Sequence, residues 1–401
     1  MLIFLFLANM SYLYGSLFHS EHRVHALKIL AVDFDRGIIG QSLSAAYKEL
    51  EGGSFPELQF HDSMEYPTVT DIRRAVCRGH YWGAVFVQNG ASARLEDALS
   101  GGIAASNYNA SNTVTYIWNE ARYAVVSVGD VSGNLETLIG ATTSVFHALN
   151  GTGATQYVNQ SDPNAVQALL NPIVSSNINI MPTTQGTRPL YNTVTIVLPI
   201  LMQFFYLMAL NGIHAQFGIY ERLQTSRIAI FRFALSVGYT FVASLTVAGY
   251  IWAFRSGWAV SSAQFVLTWL TYWLFMHINF LVMDIVTAYI PTSFLSFAVL
   301  TWIIISVTGT IYPLDLNPGF YRWHYALPSY ETYQILIQVW TGGCNDQLHR
   351  ALPILFAWEI VALVGAFSGM LKRNTLARNE LVTSKEAEAD EAMKLYTGGT
   401  R

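Results

Sequence analysis

The sequence predicts a polytopic α-helical membrane protein: six transmembrane helices, with a large extracytoplasmic α/β domain inserted between helices 1 and 2. Of its 401 residues, 52% are hydrophobic and only 12% are charged, whereas about 25% of residues are charged in ordinary soluble domains. Most charged residues lie between residues 19 and 190, and long uncharged blocks follow them. So few charges cannot cover the surface of a soluble protein of this length.

The first element is the apolar segment Met1–Phe18. We interpret it as a first transmembrane helix (residues 1–18) that is truncated on its cytosolic side. The alternative is a secretory signal peptide. A signal peptide begins with a basic segment and ends at a cleavage site of small residues, and neither feature is evident here.

Residues 19–190 predict an α/β domain, because strand-like and helix-like segments alternate along them. This order favours a mostly parallel sheet covered by helices. The predicted strands are Leu27–Asp33, Leu58–His61, Trp82–Gln88 and Val114–Trp118, and the predicted helices are Gly37–Leu50, Thr70–Arg78 and Ala91–Leu99. From about residue 122 to 180 the pattern is helical at first and then irregular, and we expect this part to pack toward the membrane.

Residues 191–371 predict a five-helix membrane domain. Each of five nearly uncharged blocks is as long as the roughly 20 residues with which a helix crosses a bilayer. The blocks are Tyr191–Ile213, Ile228–Phe254, Ser262–Ile290, Thr292–Tyr312 and Ala351–Leu371. The connector at residues 313–350 is aromatic but too interrupted for another span, so we expect an amphipathic or re-entrant element at the outer interface.

Basic residues near the ends of the spans predict the orientation, because short cytosolic loops are enriched in lysine and arginine. Arg222 and Arg227 lie between the second and third spans, and Lys372 and Arg373 follow the last span. Both regions are therefore predicted to be cytosolic, which makes residues 372–401 a cytosolic tail. By alternation, residues 19–190 and the connector lie outside the cytoplasm.

Two further features agree with an outward α/β domain. Three glycosylation sequons begin at Asn109, Asn150 and Asn159, and such sites are modified on the secretory side of the membrane. The two cysteines, Cys77 and Cys344, are both predicted to lie in an oxidising compartment. They could bridge the α/β domain to the connector, or they could remain two unpaired thiols.

Ionisable residues inside the predicted spans are the candidates for function. Glu359 lies near the middle of the last span, Asp284 lies toward the cytosolic end of the fourth, and His277 lies seven residues earlier on the same helical face. A carboxylate inside the bilayer costs roughly 2.5 kcal/mol or more, and it therefore faces a partner or a wet cavity. These residues form either a substrate or proton pathway, or polar contacts between helices. We expect Arg232 to extend to the cytosolic surface.

Other chemistry has weaker support. Asp33 and Asp35 follow a predicted strand and could hold a cation or catalyse a reaction, but they could equally cap the next helix. The sequence contains no phosphate-binding loop, zinc-protease motif or serine-hydrolase elbow. We therefore expect no catalytic residues, cofactor or metal, and a net charge of −4 gives no nucleic-acid footprint.

Several long segments resemble the fungal nitrosoguanidine-resistance protein family. They are AVDFDRGIIGQSL from Ala31, RAVCRGHYWGAVFV at Arg74–Val87, YIWNEARY at Tyr116–Tyr123, LPILMQFFYLMALNGI at Leu198–Ile213 and YRWHYALPSYE at Tyr321–Glu331. The resemblance runs from about residue 5 to 375. That family is similar to ABC-2-type and phage-infection-protein-like membrane components. The resemblance implies six spans with a large outer domain between the first two, and it supplies no catalytic residues.

The resemblance also implies a role in the plasma membrane, either in resistance to and export of toxic small molecules or in the distribution of lipids. The expected partners are membrane lipids, an amphipathic small molecule, and either a second copy in a homodimer or a separate subunit. ABC-2-type components usually work with an ATPase, and this sequence has no ATP-binding motif of its own. The alternative is a non-transporting regulator or scaffold whose outer domain binds a partner.

Overall fold

The computed structural model of the protein describes residues 2–398. Met1 of the first predicted span and residues 399–401 of the predicted tail lie outside the described residues. The chain begins with helix α1 (Leu2–Leu17), which bends by 46° into a 3₁₀ helix at Ser20–Ala26. With 16 residues, α1 is short for a span, because a helix rises only about 1.5 Å per residue.

The α/β domain contains a five-stranded sheet in the order β2-β1-β3-β4-β5. The strands are β1 (Ile29–Asp33), β2 (Leu58–His61), β3 (Gly83–Val87), β4 (Val114–Trp118) and β5 (Ser175–Asn179). All neighbouring strands are parallel except β3 and β4. The sequence pattern did not predict β5, because the segment Ser-Ser-Asn-Ile-Asn is polar and only partly buried at the edge of the sheet.

Helices cover both faces of this sheet. They are α2 (Ile38–Leu50), α3 (Val69–Cys77), α4 (Ala91–Leu99), α5 (Ile103–Ser106), α6 (Ala124–Val126), α7 (Asn134–Tyr157) and α8 (Pro163–Leu170). Ile29 and Ala31 of β1 pack on the side of α2 and α4, whereas Leu30 and Val32 pack on the side of α3. Successive side chains of a strand point to opposite faces of the sheet. Because both faces are covered here, the sequence of β1 is continuously apolar from Ile29 to Val32. Helix α7 packs on α2 and covers the sheet.

Among residues 2–398, five helices are long and apolar enough to cross a membrane, and the chain is a polytopic membrane protein. Four of them are α9 (Val194–Gln216), α11 (Thr225–Ala253), α12 (Ser262–Tyr289) and α13 (Thr292–Ile311), with the short α10 (Ile219–Arg222) after α9. A sixth span requires that α1 and the bent 3₁₀ helix be counted together. The observed boundaries lie within a few residues of the predicted blocks.

The fifth spanning helix belongs to α15 (Leu348–Gly398), a continuous helix of 51 residues. Helix α15 therefore continues without interruption across residue 371, the predicted boundary between span and tail. Alternation along the bundle places the α/β domain and the connector at one end, which we call the domain end. The loops around α10 and between α12 and α13, together with the tail, lie at the opposite end, which we call the far end.

The connector is the segment predicted to form an amphipathic or re-entrant element at the outer interface. It contains a 3₁₀ helix at Gly319–Ala326 and helix α14 (Pro328–Trp340). Helix α14 is almost wholly buried against α12, α13 and α15. Its one acidic side chain, Glu331, is fully buried and pairs with Arg350 of α15 through Oε1 to Nε at 3.0 Å. Within the connector, α14 is therefore an interior element of the bundle, whereas Phe320 and Trp323 of the 3₁₀ helix are exposed.

Several contacts fasten the α/β domain to the connector. Cys77 at the end of α3 forms a disulfide bond with Cys344, and the backbone N–H of Asn345 donates to the carbonyl of Cys77 at 2.7 Å. The indole of Trp82 donates to Asp315 at 3.2 Å. The ring of Tyr123 lies edge-on to Tyr333 of α14, with centroids 4.9 Å apart. These contacts thus join the α/β domain to the membrane helices in addition to its two covalent connections, to α1 and to α9.

Removal of this disulfide by Cys77→Ser with Cys344→Ser is expected to lower the free energy of unfolding by about 2–5 kcal/mol. The bond closes a loop of 267 residues, so its loss frees a large unfolded ensemble. Tryptophan fluorescence during denaturation of the detergent-solubilised protein measures the change. A reducing agent should destabilise the wild type to a similar extent and leave the double variant unchanged. Equal midpoints for both proteins would contradict the prediction.

Candidate functional site

The candidate site lies among α11, α12 and α15, toward the far end of the bundle. It is a cavity of about 330 Å³ whose wall is mostly apolar, with Phe280, Leu363 and Phe367 among its residues. Three polar side chains also line it: Arg232, Ser236 and Asp284. Phe367, at its edge, is 52% exposed on the outside of the bundle. An apolar cavity with a few fixed polar groups is the usual form of a small-molecule site.

Asp284 is the centre of a buried ionic cluster in this wall. Its Oδ1 accepts hydrogen bonds from Arg232 of α11 at 2.5 Å and from Arg373 of α15 at 2.6 Å. The side chains of Arg232 and Asp284 are each 6% exposed. The expectation that Arg232 extends to the membrane surface is therefore wrong. Two turns into α11, it reaches a carboxylate on the neighbouring helix more readily than it reaches water.

The remaining hydrogen atoms of Arg232 extend this cluster to α9 and α10. One terminal nitrogen donates to Tyr220 at 2.7 Å and lies 3.2 Å from both Asn211 and His214. Because arginine is only a donor, His214 accepts through Nδ1 and is neutral. The Nε–H of Arg232 is buried, and no residue in the described part of the chain accepts a hydrogen bond from it. A buried donor without an acceptor is costly, and this one belongs to a side chain in the cavity wall.

His277 and Glu359 meet in the middle of the bundle. Nδ1 of His277 lies 2.6 Å from Oε1 of Glu359, and Nε2 lies 3.1 Å from the hydroxyl of Ser236. Both His277 and Asp284 thus face α11 and α15, as their spacing on one helical face predicts. Ser236 was missed by the sequence analysis. The only local signal is its position one turn after Arg232, since a single serine in a span is unremarkable.

The contacts from Ser236 to His277 and from His277 to Glu359 have the serine–histidine–carboxylate arrangement of a hydrolase triad. Ser236 lies inside α11, however, where backbone N–H groups bond within the helix. A hydrolase needs free N–H donors to stabilise an oxyanion, usually at a helix start or loop. We therefore interpret the three residues as a hydrogen-bond chain between helices.

The acidic pair at the end of β1 has local structural roles. Oδ1 of Asp33 accepts hydrogen bonds from the backbone N–H groups of Asp35 and Arg36 at 2.9 and 3.0 Å. Asp35 accepts from the backbone N–H of Ser92 at 3.0 Å and from its hydroxyl. A Cβ on Gly40 would stand 1.9 Å from Asp33 Oδ2, so these carboxylates are closely packed. They close the turn and fix the start of α4.

The sequons and one histidine group lie on the α/β domain. Asn109 and Asn159 are exposed, and each accepts a hydrogen bond from the backbone N–H two residues later, at 3.0 and 3.1 Å. Asn150 is half-buried within α7. His19, Glu21 and His22 place possible metal ligands within 4.8 Å of one another on the surface. The sequence analysis expected no metal, and such exposed groups are common without one.

Comparisons with known proteins fit a fungal membrane protein family. The family model described as a protein of unknown function, DUF3533, matches residues 1–364. Over 204 residues the chain is 26% identical to the uncharacterized endoplasmic reticulum membrane protein YJR015W of Saccharomyces cerevisiae, a match that covers 48% of the chain. It spans 39% of the length of that relative. No solved structure matches the chain.

The substitution Asp284→Asn is expected to lower the free energy of unfolding by about 3–5 kcal/mol, because it leaves buried Arg232 without its counter-charge. The temperature at which the solubilised protein loses its size-exclusion peak reports this loss. Arg232→Met in the same chain should recover part of it, since the pair is then removed together. Arg373→Met is the milder control, because that side chain is 13% exposed. Full stability of Asp284→Asn would contradict a structural role for the cluster.

Proposed function

This chain belongs to the DUF3533 family, and we propose that it acts in a membrane on amphipathic molecules, either exporting toxic compounds or redistributing lipids. The observation that carries the proposal is the cavity among α11, α12 and α15. Its apolar wall suits a hydrocarbon chain, while Arg232 and Asp284 offer polar contacts for a headgroup. The resemblance to nitrosoguanidine-resistance and ABC-2-type proteins supports the same function.

The cavity lies where an amphipathic molecule in the bilayer would meet it. Phe233 and Phe367 line the cavity and are about half exposed on the outside of the bundle. A molecule could therefore enter from the lipid without first crossing the aqueous phase. The ionic cluster, which lies toward the far end of the bundle, would hold a polar headgroup near the membrane surface. Two copies of the chain, as in ABC-2-type components, could complete a path across the bilayer.

A second candidate function is that of a membrane regulator or scaffold. A wide cleft of about 670 Å³ lies at the carboxyl ends of β1 and β3, the edge at which α/β sheets bind ligands. Along it, Gln88 donates to Thr115 at 2.9 Å, and Thr115 lies 2.7 Å from the hydroxyl of Ser176. A polar row across three strands offers a surface for a ligand or partner. A stable partner that co-purifies with the full-length protein would favour this function.

The orientation of the α/β domain is also a proposal. We propose that it faces the lumen of the endoplasmic reticulum or the cell exterior, which are topologically equivalent. The disulfide supports this placement because such bonds persist in oxidising compartments. The far end carries Arg222, Arg227 and Lys372, as a cytosolic face should. The plasma membrane remains our prediction for its final location, and the name of the yeast relative gives the endoplasmic reticulum for that protein.

Filling the cavity should abolish the resistance function. Leu363→Trp places an indole in the cavity, whereas Val364→Trp places it on the neighbouring face of α15, where Val364 is 67% exposed. In a strain that lacks the gene, we expect Val364→Trp to restore resistance to nitrosoguanidine and retention of fluorescent amphiphiles to wild-type values. Leu363→Trp should behave like the deletion at equal protein abundance. Identical behaviour of the two variants, or no phenotype of the deletion, would exclude the proposal.

The orientation is tested by glycan removal and thiol labelling. We expect treatment with a peptide N-glycosidase to increase the electrophoretic mobility of the wild-type protein but not that of the variant Asn109→Gln, Asn150→Gln, Asn159→Gln. In denatured wild type, Cys77 and Cys344 should react with a maleimide only after reduction. An unmodified chain whose thiols react without reduction would place the α/β domain in the cytosol.

A further inference from the structure

We propose that His277 and Glu359 form a proton-binding site that couples proton movement to the binding of an anionic amphipathic molecule in the cavity. The inference rests on the proposed function and adds to it a driving force and a substrate class. It starts from an asymmetry among the acids buried between the helices. Asp284 has two arginine partners, and Glu331 has Arg350. Within residues 2–398, the structure pairs Glu359 with a histidine instead.

The histidine makes this pair able to change its charge. Arginine stays protonated at any physiological pH, so Asp284 and Glu331 each face a permanent positive charge. Histidine and a carboxyl group can share, gain or release a proton near neutral pH. Oε2 of Glu359 is buried and has no hydrogen-bond partner among the described residues. A full, unshared negative charge there is unfavourable, which favours a proton on the pair.

The hydrogen bonds of Ser236 show how one proton can be gained or lost. In the first arrangement, the hydroxyl donates to the carbonyl of Phe233 at 2.8 Å, so Nε2 of His277 must donate to Ser236 Oγ. The contact of 2.6 Å between Nδ1 and Oε1 then holds a second hydrogen, because two acceptors would repel each other. The pair as a whole is neutral in this arrangement.

In the second arrangement, the hydroxyl of Ser236 turns its hydrogen to Nε2, which now accepts. The Nδ1–H of His277 donates to the carboxylate of Glu359, and the pair carries one negative charge. Exactly one proton has left, and no heavy atom has to move. Rotation of one hydroxyl therefore accompanies each uptake and release, with the proton exchanged on the side of the pair that faces the cavity through Ser236.

The neighbouring charges link this proton to the contents of the cavity. Arg232, Arg373 and Asp284 together carry one net positive charge. When the pair of His277 and Glu359 has released its proton, its negative charge balances the net positive charge of the arginine cluster. When the pair is protonated, the positive charge is left over, and a bound anion would compensate it. Arg232 lines the cavity and brings this positive charge to its wall. Binding of an anion should therefore favour protonation of the pair, and the reverse holds by linkage.

Other titratable groups on the surrounding helices are already engaged or neutral. Helix α12 itself contains two further buried titratable side chains, Asp284 and Tyr272. The neighbouring helices contribute His214 (α9), Arg232 (α11), and Glu331, Tyr330 and Tyr333 (α14). Helix α15 contributes Arg350 and Arg373, and α13 contains no charged or histidine residue. His214 is fixed as an acceptor of Arg232. Among the described residues, His277 and Glu359 are the acid–base pair between these helices that no arginine or lysine contacts.

The proton site is tested by infrared spectroscopy of the full-length protein in phosphatidylcholine nanodiscs between about pH 5 and pH 8, where exposed carboxylates remain ionised. We expect a carbonyl band of a protonated carboxylic acid that shrinks as the pH rises. Glu359→Gln should lack this band. Glu57→Gln, which changes an exposed acid of the α/β domain, is the matched control and should retain it. A spectrum of the wild type without such a titrating band would overturn the proposal.

Coupling is tested with a fluorescent alkyl sulfonate, whose headgroup stays ionised throughout this pH range. Its affinity for the wild type should rise by up to about tenfold per pH unit on acidification, the limit for one linked proton. Glu359→Gln should bind it with an affinity that no longer depends on pH, while a fluorescent alkyl trimethylammonium should show no such rise.

The two proposals fail in different ways. Leu363→Trp should lose sulfonate binding and keep the infrared band, because it fills the cavity and leaves His277 and Glu359 themselves unchanged. A sulfonate that binds the wild type with an affinity independent of pH would overturn the coupling but leave the cavity as a binding site. A titrating band without any sulfonate binding would overturn both the coupling and the proposed binding site.

Discussion

Polar groups inside a membrane have no water to satisfy them, and the ion pair between Arg232 and Asp284 shows how this chain meets that constraint. The charges lie on neighbouring helices at 2.5 Å, and Arg373 approaches the same carboxylate from a third helix. Each charge is tolerable only because the others are present. The cluster therefore fixes the register of α11, α12 and α15 at the far end, and the cavity lies where α11 and α15 both pack on α12.

At the domain end, the connector performs the equivalent task. Helix α14 is buried among the spanning helices, and Glu331 is neutralised there by Arg350. The disulfide and the contacts of Trp82 and Tyr123 then tie the α/β domain to this buried element. A movement of the helices would thus be transmitted to the α/β domain through the connector. This arrangement accommodates both a transport function and a regulatory one.

The two polar groups in the spanning helices differ in kind. The arginine cluster is a permanent set of charges, whereas the pair of His277 and Glu359 can exist with or without one proton at unchanged heavy-atom positions. We propose that this second group supplies a driving force for the binding of an anion. A titratable pair beside an apolar cavity would provide one, because the charge of the pair and the charge in the cavity influence each other.

The sequence by itself determined the parts of the molecule that depend on local pattern. Uncharged blocks located the five long helices, and alternating apolar segments located four of the five strands, because hydrophobicity and periodicity are read within a short window. The polar edge strand β5 lacked that signal. The buried position of α14 was also hidden, since an aromatic segment can lie at an interface or inside a bundle.

The partners of the functional residues were decided only by the tertiary structure. Glu359, Asp284 and His277 could be singled out in the sequence because ionisable residues are rare in spans. Their partners could not, since Arg232 lies 52 residues from Asp284, and His277 lies 82 residues from Glu359. Which side chains meet depends on the rotation and register of packed helices. Those are set by the summed packing of many apolar contacts, and no single segment of the chain contains them.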